Sequence, residues 1–244
     1  MDVIDRFASH GFAVIPQLFE HSEIQQVREA LDGLFSDYDR LPAGHTYDLD
    51  GRSGNGMGKI PAIRNTLSLL PGLASTRGLT EALNWAERLM GPGAELLWDA
   101  AIYKPPGESS ETPWHQDEGV YQYHRKRPRW IVYFWVAVDD IDASCGAIRF
   151  VSGSHRGPLH RHAWRNGDSA TSLEVVGLEE IEGVTIPLGQ GDATVHHLRT
   201  LHGSGANSSG RCRKAWVLGI GKPRTPLWMR RLKRDAMGLA RRSL

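Results

Sequence analysis

Apolar residues recur at helical spacing in two segments before residue 94. Four of them mark the segment 21–39 at intervals of three or four positions: Ile24, Val27, Leu31 and Leu34. This spacing predicts an amphipathic helix, with Ser22 as its N-cap. A second helix is predicted over 78–93, because that segment ends in Gly-Pro-Gly, a helix stop. The apolar, β-branched segment 11–19 predicts one short extended piece between helical regions.

After Gly93 the pattern changes to short β-prone runs that are broken by Gly, Pro, Asp and Ser. The runs are 94–106, 127–141, 146–157, 183–198 and 214–221. No helical segment of crossover length recurs between them, which disfavours a parallel βαβ sheet. The pattern favours an antiparallel double-sheet barrel with helices packed on one side.

Neither an internal repeat nor a separating linker divides the chain, so we expect one domain over 1–244. It would comprise a helical N-terminal part (1–93), a β core (about 94–221) and a basic tail (222–244). The segment 42–58, rich in Gly, Asp and Ser, predicts a long loop of the lid or binding type. The tail carries eight Lys/Arg against one Asp, which predicts a solvated or frayed helical end, or a dock for an acidic partner or anionic substrate carrier.

Composition narrows the class of protein. The 244 residues are 40% hydrophobic, enough for one large core, and 29 Lys plus Arg balance 28 Asp plus Glu. This balance gives no global attraction to nucleic acid or membrane. Cys145 and Cys212 form no CxxC pair, which disfavours a disulfide framework or a thiolate zinc site and suits a reducing cytoplasm. Without a basic leader or an apolar run near about 18 residues, we expect a soluble intracellular protein.

The candidate chemistry begins in the segment 112–121, TPWHQDEGVY, where His115 and Asp117 are two positions apart. Side chains at i and i+2 of a strand share a face, so both could converge on one point while Gln116 turns away. An imidazole with a carboxylate suits borderline divalent metals, including Fe(II). A single HxD pair is more often structural than ligating, so a third ligand has to come from elsewhere.

Three histidines in the segment 191–216 could supply that ligand: His196, His197 and His202. Because His196 and His197 are adjacent in a strand pattern, one of them must face away. His202 ends the strand before a flexible turn, and ligands at loop edges of a rigid barrel are common. This favours His202 over His197, and leaves His197 either as a residue that orients a ligand or as a core histidine.

A candidate anion site follows His202. Ser204 lies two residues and Arg213 eleven residues after it, and the turn between them predicts a hairpin. A buried guanidinium needs an anion, and its planar fork suits a carboxylate. A metal with two imidazoles and one carboxylate has open positions on one side. A small dicarboxylate could therefore chelate the metal at one end and meet Arg213 at the other.

These segments together resemble the phytanoyl-CoA dioxygenase family of Fe(II)/2-oxoglutarate-dependent oxygenases over nearly the whole chain. The ordered set is HxD, then W with G-x-I-x-F-V-S-G-S-H, then H-x-S-x-x-N with arginine eleven positions after the histidine. The resemblance implies a mainly β fold with flanking helices and a double-stranded β-helix (jelly-roll, cupin-like) core. It implies that His115, Asp117 and His202 are the iron ligands. Arg213 and Ser204 match the residues that hold the distal carboxylate of 2-oxoglutarate.

The same resemblance implies two further contacts and a reaction. Trp135 matches an aromatic wall of the co-substrate pocket, and Lys59 a further polar contact. The implied cofactors are Fe(II), 2-oxoglutarate and O2, which yield succinate and CO2 while an unactivated C–H bond of a small substrate is hydroxylated. Related enzymes instead desaturate, cyclise or epimerise, whereas Asp117 argues against halogenation because related halogenases lack this carboxylate. The implied substrate is a natural product intermediate, free or tethered to CoA or a carrier.

Other functions stay open at this point. One alternative is a non-redox barrel that binds a metal or small molecule, and another is a zinc hydrolase on the same ligands. Arg213 and Ser204 disfavour both alternatives, since neither kind of protein needs a second anchor for a dicarboxylate. An interaction protein acting through the tail rests on composition alone. His155 is expected in a structural role, and four polar residues are expected at the surface: His160, His162, Glu111 and Glu118.

Overall fold

The computed structural model describes residues 1–51, 57–107, 109–123, 130–167, 171–178 and 181–222. Within these ranges the helices are α1 (Val3–His10), α2 (His21–Ser36), α3 (Thr66–Leu69) and α4 (Arg77–Met90). The strands are β1 (Phe12–Ile15), β2 (Thr46–Asp48), β3 (Pro61–Arg64), β4 (Glu95–Lys104), β5 (Thr112–His115), β6 (Trp130–Ala137), β7 (Ile148–Phe150), β8 (His162–Trp164), β9 (Leu173–Val175), β10 (Val184–Thr185), β11 (Ala193–His197), β12 (His202–Ser204) and β13 (Arg213–Lys222).

The predicted basic tail lies, after Lys222, outside the described residues, so both interpretations of it stay predictions. Across the described ranges, no helix combines the length and the apolar character that crossing a bilayer requires.

The larger sheet has the strand order β1-β11-β6-β13-β4-β3-β2 and is antiparallel throughout. Its interior strand β6 is buried on both faces. Val132, Phe134 and Val136 join the core formed with α2 and α4, whereas Tyr133 and Trp135 point to the opposite side. Burial on both faces explains why this strand reads as a continuous apolar run instead of an alternating one.

The smaller sheet has the order β10-β7-β12-β5 and is also antiparallel. Ile148 and Phe150 of β7 share a second core with Tyr133, Trp135 and Val217 of the larger sheet. Two antiparallel sheets thus enclose a core between them, while the helices cover the outer face of the larger sheet. This architecture confirms the predicted jelly roll with flanking helices.

Two local predictions are wrong. Thr46–Asp48, inside the predicted loop 42–58, forms β2, because its backbone pairs with β3 at the edge of the larger sheet. The helix α2 begins at His21 with Glu20 as N-cap, so Ser22 lies in its first turn and no side chain caps it. The carboxylate of Glu23 in that turn complements the helix dipole instead.

Candidate metal centre and its cavity

Two histidines face each other across neighbouring strands of the smaller sheet. His115 ends β5 and His202 begins β12, and the antiparallel register makes them direct partners. Their ring centroids lie 4.2 Å apart. The sheet therefore brings together two residues that are far apart in the sequence.

Asp117 places a carboxylate at the same point. Gln116 is extended (φ −118°, ψ 128°), which keeps Asp117 on the side of His115 although Asp117 begins a 3-10 turn, Asp117–Gln122. The Nε2 atoms of His115 and His202 lie 3.9 and 3.7 Å from carboxylate oxygens of Asp117. One ligand atom from each of the three residues lies within 4.8 Å of the other two. The structure thus brings the three predicted ligands together.

The protonation states of the imidazoles suit a metal. Nδ1 of His115 lies 2.8 Å from the carbonyl oxygen of Pro113, and Nδ1 of His202 lies 2.9 Å from that of Thr200. Each Nδ1 therefore carries the proton, which leaves the Nε2 lone pair directed at the centre. Burial lowers the pKa of both imidazoles to about 4, so both are neutral at pH 7.

His196 is a third imidazole at the centre. Its side chain is buried, and its Nε2 lies 3.1 Å from Oδ2 of Asp117. Burial alone would raise the pKa of Asp117, but the imidazoles of His202, His196 and His115 together lower it to about 2. His197, the next residue on β11, points away and packs against α1. The contact with a predicted ligand that was considered for His197 is thus made by His196.

A buried hydrogen-bond network holds the chain between the ligands. The fully buried Gln116 amide donates from Nε2 to the carbonyls of Pro158 (3.1 Å) and Arg199 (2.9 Å), and its Oε1 accepts from the His160 N–H (2.9 Å). The backbone N–H of Gln116 donates to Nε2 of His162 at 2.9 Å. His162 is only 3% exposed, so its predicted surface position is wrong. Nothing in its polar sequence context signalled this long-range hydrogen bond.

The surface prediction is also wrong for Glu118, whose side chain is 2% exposed. Arg199 donates to both of its carboxylate oxygens, from Nε at 2.7 Å and from Nη2 at 3.0 Å. Such a bidentate pair is strong and directional. It ties the turn that carries Asp117 to the segment that leads into His202.

Glu118→Gln is expected to lower the free energy of unfolding by about 2 kcal/mol, because it leaves a half-buried guanidinium without its counter-charge. Urea denaturation measures this difference. Glu111→Gln is the matched control, since Glu111 is 62% exposed and lies 3.9 Å from Arg149. The control should change stability by less than about 0.5 kcal/mol. Equal effects of the two substitutions would contradict the role given to the Glu118–Arg199 pair.

The three ligands open onto a cavity of about 190 Å³ that also reaches Arg213, Ser204 and Trp135. The guanidinium of Arg213 lies over the Trp135 ring, with Cζ 5.0 Å from the ring centroid. Its Nη2 donates to Ser204 Oγ at 3.2 Å and to the Gly146 carbonyl at 2.8 Å. Burial lowers the pKa of Arg213 to about 9, so it remains a cation at neutral pH. Three predicted co-substrate contacts therefore share one cavity with the ligands.

A lysine that the sequence analysis did not single out lies behind this end of the cavity. Lys59 does not line the cavity, and its role stays a prediction. Lys104, at the end of β4, is fully buried with Nζ 2.8 Å from Ser204 Oγ. Burial and the neighbouring Arg213 lower the pKa of Lys104 well below its usual value. The one feature of the sequence that could have indicated Lys104 is its position as a basic residue at the end of an apolar strand.

The remaining cavity wall is mainly apolar and aromatic. Its side chains include Leu49, Trp98, Val120, Trp164 and Leu173. Arg213 is the sole Lys or Arg among the described residues of the lining. Two neutral imidazoles and one carboxylate on one side of such a space form the donor set of a non-haem Fe(II) site with open positions. The residues present therefore fit Fe(II).

The chain is similar to known proteins in sequence and in fold. The family model described as phytanoyl-CoA dioxygenase (PhyH) matches residues 7–215. Peroxisomal phytanoyl-CoA dioxygenase of Rattus norvegicus is 26% identical over 222 residues, which are 86% of this chain and 64% of that protein. The Bos taurus protein of the same name is 29% identical over 144 residues, 56% of this chain and 42% of that protein. The chain therefore spans less than two thirds of the length of these relatives.

Among solved structures, EvdO2 from Micromonospora carbonacea var. aurantiaca superposes with a TM-score of 0.75 and is 29% identical, covering 93% of this chain and 94% of that chain. EvdO2 has also been solved complexed with 2-oxoglutarate. The family match includes all three predicted ligands and Arg213. On this match and on its fold, the chain belongs to the phytanoyl-CoA dioxygenase (PhyH) family.

Proposed function

We propose that the protein is an Fe(II)/2-oxoglutarate-dependent oxygenase that uses O2 to hydroxylate an unactivated C–H bond of a small organic substrate, with release of succinate and CO2. One observation carries the proposal: the His115, Asp117 and His202 cluster and the Arg213 guanidinium open onto the same cavity. Membership of a dioxygenase family and the complex of EvdO2 with 2-oxoglutarate support the choice of co-substrate.

Each residue has a defined task in this proposal. His115, Asp117 and His202 would hold Fe(II), which when bound would activate O2, with the electrons coming from oxidative decarboxylation of 2-oxoglutarate and from the C–H bond. Arg213 and Ser204 bind the distal carboxylate, which directs the 2-oxo acid end of the co-substrate towards the ligands. Trp135 covers one face of the guanidinium and excludes water there, which strengthens the ion pair.

The proposed substrate is a small or mid-sized natural product intermediate whose reacting part is uncharged. The apolar and aromatic lining supports this choice, because a charged group placed against it would lose its hydration without a partner. A CoA or carrier tether would have to extend out of the cavity. Product analysis separates hydroxylation from desaturation, cyclisation and epimerisation.

Anaerobic protein mixed with Fe(II) and 2-oxoglutarate is expected to develop a weak visible charge-transfer band, because the 2-oxo acid chelates the metal. Glutarate, which lacks the 2-oxo group, is the control and should give no band. After admission of O2, a screen of candidate substrates should find compounds that stimulate succinate formation. Absence of the band together with tight retention of zinc would contradict the proposal and favour a zinc hydrolase on the same ligands.

A further inference from the structure

Two buried cations meet at one hydroxyl group behind the cavity. Lys104 and Arg213 are register partners on the antiparallel strands β4 and β13. Their side chains are 0% and 1% exposed. Nζ of Lys104 lies 2.8 Å and Nη2 of Arg213 lies 3.2 Å from Oγ of Ser204. This convergence follows from strand pairing and is invisible in the local sequence.

The two contacts fix the direction of the Ser204 hydroxyl. A serine hydroxyl has one proton to donate and two lone pairs that accept. Ammonium and guanidinium groups can only donate, so Lys104 and Arg213 together occupy both lone pairs. Among the described residues, Ser204 Oγ donates to no acceptor, and Ser204 lines the cavity. Its proton is therefore available to an acceptor inside the cavity.

Within the described residues, no carboxylate pairs with the positive charge at this point. None of the described carboxylates forms an ion pair with Lys104 or Arg213. The other acceptors of the Lys104 ammonium are the carbonyl oxygens of Gly205, at 2.5 Å, and of Ser204, at 3.5 Å. Burial and Arg213 lower the pKa of Lys104, so its ammonium form is costly at this point until an anion offsets the charge. The cavity end is thus complete only with an anionic acceptor.

We propose that Lys104 is a positioning residue for the co-substrate: it holds Ser204 as a donor towards the distal carboxylate and adds a second positive charge behind that donor. Lys104 itself does not line the cavity, so it acts through Ser204. The inference rests on the proposed function, since it takes the acceptor to be 2-oxoglutarate. The contacts of Lys104 make it the second basic residue, after Arg213, at the proposed co-substrate site.

Lys104→Met is expected to weaken 2-oxoglutarate binding to the anaerobic Fe(II) protein roughly tenfold, the cost of one charge-assisted hydrogen bond. Titration of the visible band measures the Kd. Binding of 2-oxobutyrate, which has no distal carboxylate, should stay unchanged. Lys214→Met is the control: Lys214, on β13, is also buried but pairs with Asp32 at 2.6 Å, so this substitution should leave both Kd values unchanged.

A double-mutant cycle with Ser204→Ala separates positioning from long-range attraction. If Lys104 acts through Ser204, Lys104→Met should have a much smaller effect in the Ser204→Ala background than in the natural protein. Lys104→Gln retains an N–H donor for Ser204, so it should recover part of the affinity. The Lys104→Gln variant also tests the inference if Lys104→Met does not fold.

Three results would overturn the inference. They are an unchanged Kd for 2-oxoglutarate in Lys104→Met, an equal loss for 2-oxoglutarate and 2-oxobutyrate, and strictly additive effects in the cycle. A natural protein that shows no band with either 2-oxo acid would instead contradict the proposed function. The two failures are therefore distinguishable in one set of titrations.

Discussion

Asp117→Ala is expected to weaken Fe(II) binding by more than about 100-fold and to abolish measurable succinate formation. Loss of a residue that only orients a metal ligand already costs about 10- to 100-fold in affinity or activity, and Asp117 is placed to bind the metal directly. It also supplies the only negative charge of the donor set. Its pKa of about 2 keeps it ionised at pH 7, where His115 and His202 are neutral.

Anaerobic equilibrium dialysis against Fe(II) measures the affinity, and succinate release measures turnover. Glu111→Gln is the control, because Glu111 is a carboxylate that is 62% exposed and pairs with Arg149 at 3.9 Å instead of supporting the ligands. This control should keep both stability and Fe(II) affinity near those of the natural protein. Wild-type turnover in Asp117→Ala, or in His202→Ala, would show that the metal centre lies elsewhere.

Part of the site could be predicted from sequence because it depends on local geometry. His115 and Asp117 share a face through i, i+2 alternation, and an extended Gln116 preserves this even where the strand ends. The contacts of Lys104 and His196 could not be predicted in this way. His196 and Lys104 lie on strands of the larger sheet, whereas their partners Asp117 and Ser204 lie in or just after strands of the smaller sheet. These contacts depend on how the two sheets face each other, which no single strand encodes.

The fold, like the site, could be predicted from the sequence only in part. Helical periodicity predicts the amphipathic helix α2, a continuous apolar run predicts the strand β6, and both elements exist. Glu118 and His162 read as surface residues because charged or polar side chains usually stay in water. Both are buried because distant partners, Arg199 and the Gln116 backbone, satisfy them. The composition of a segment cannot show such partners, since they lie in segments that are distant in the sequence.

Arg213→Met is expected to raise the Kd for 2-oxoglutarate by about 100-fold or more, as is typical when one member of a buried charge pair is truncated. Arg213 is 1% exposed, and the Trp135 ring lies against its guanidinium. Water therefore cannot replace the lost donor, and the distal carboxylate would be buried against an apolar side chain. Saturating co-substrate should restore part of the turnover, because the metal ligands remain intact.

The same anaerobic titration tests this expectation with two ligands and one control. Affinity for 2-oxobutyrate should change little in Arg213→Met, since that ligand has nothing for Arg213 to bind. Arg211→Met is the matched control: its side chain is 53% exposed and pairs with Asp142 at 2.6 Å. It removes a cation two residues away, so it should leave both affinities unchanged. An equal loss in the two arginine variants would mean that overall charge, and not a defined carboxylate site, determines co-substrate binding.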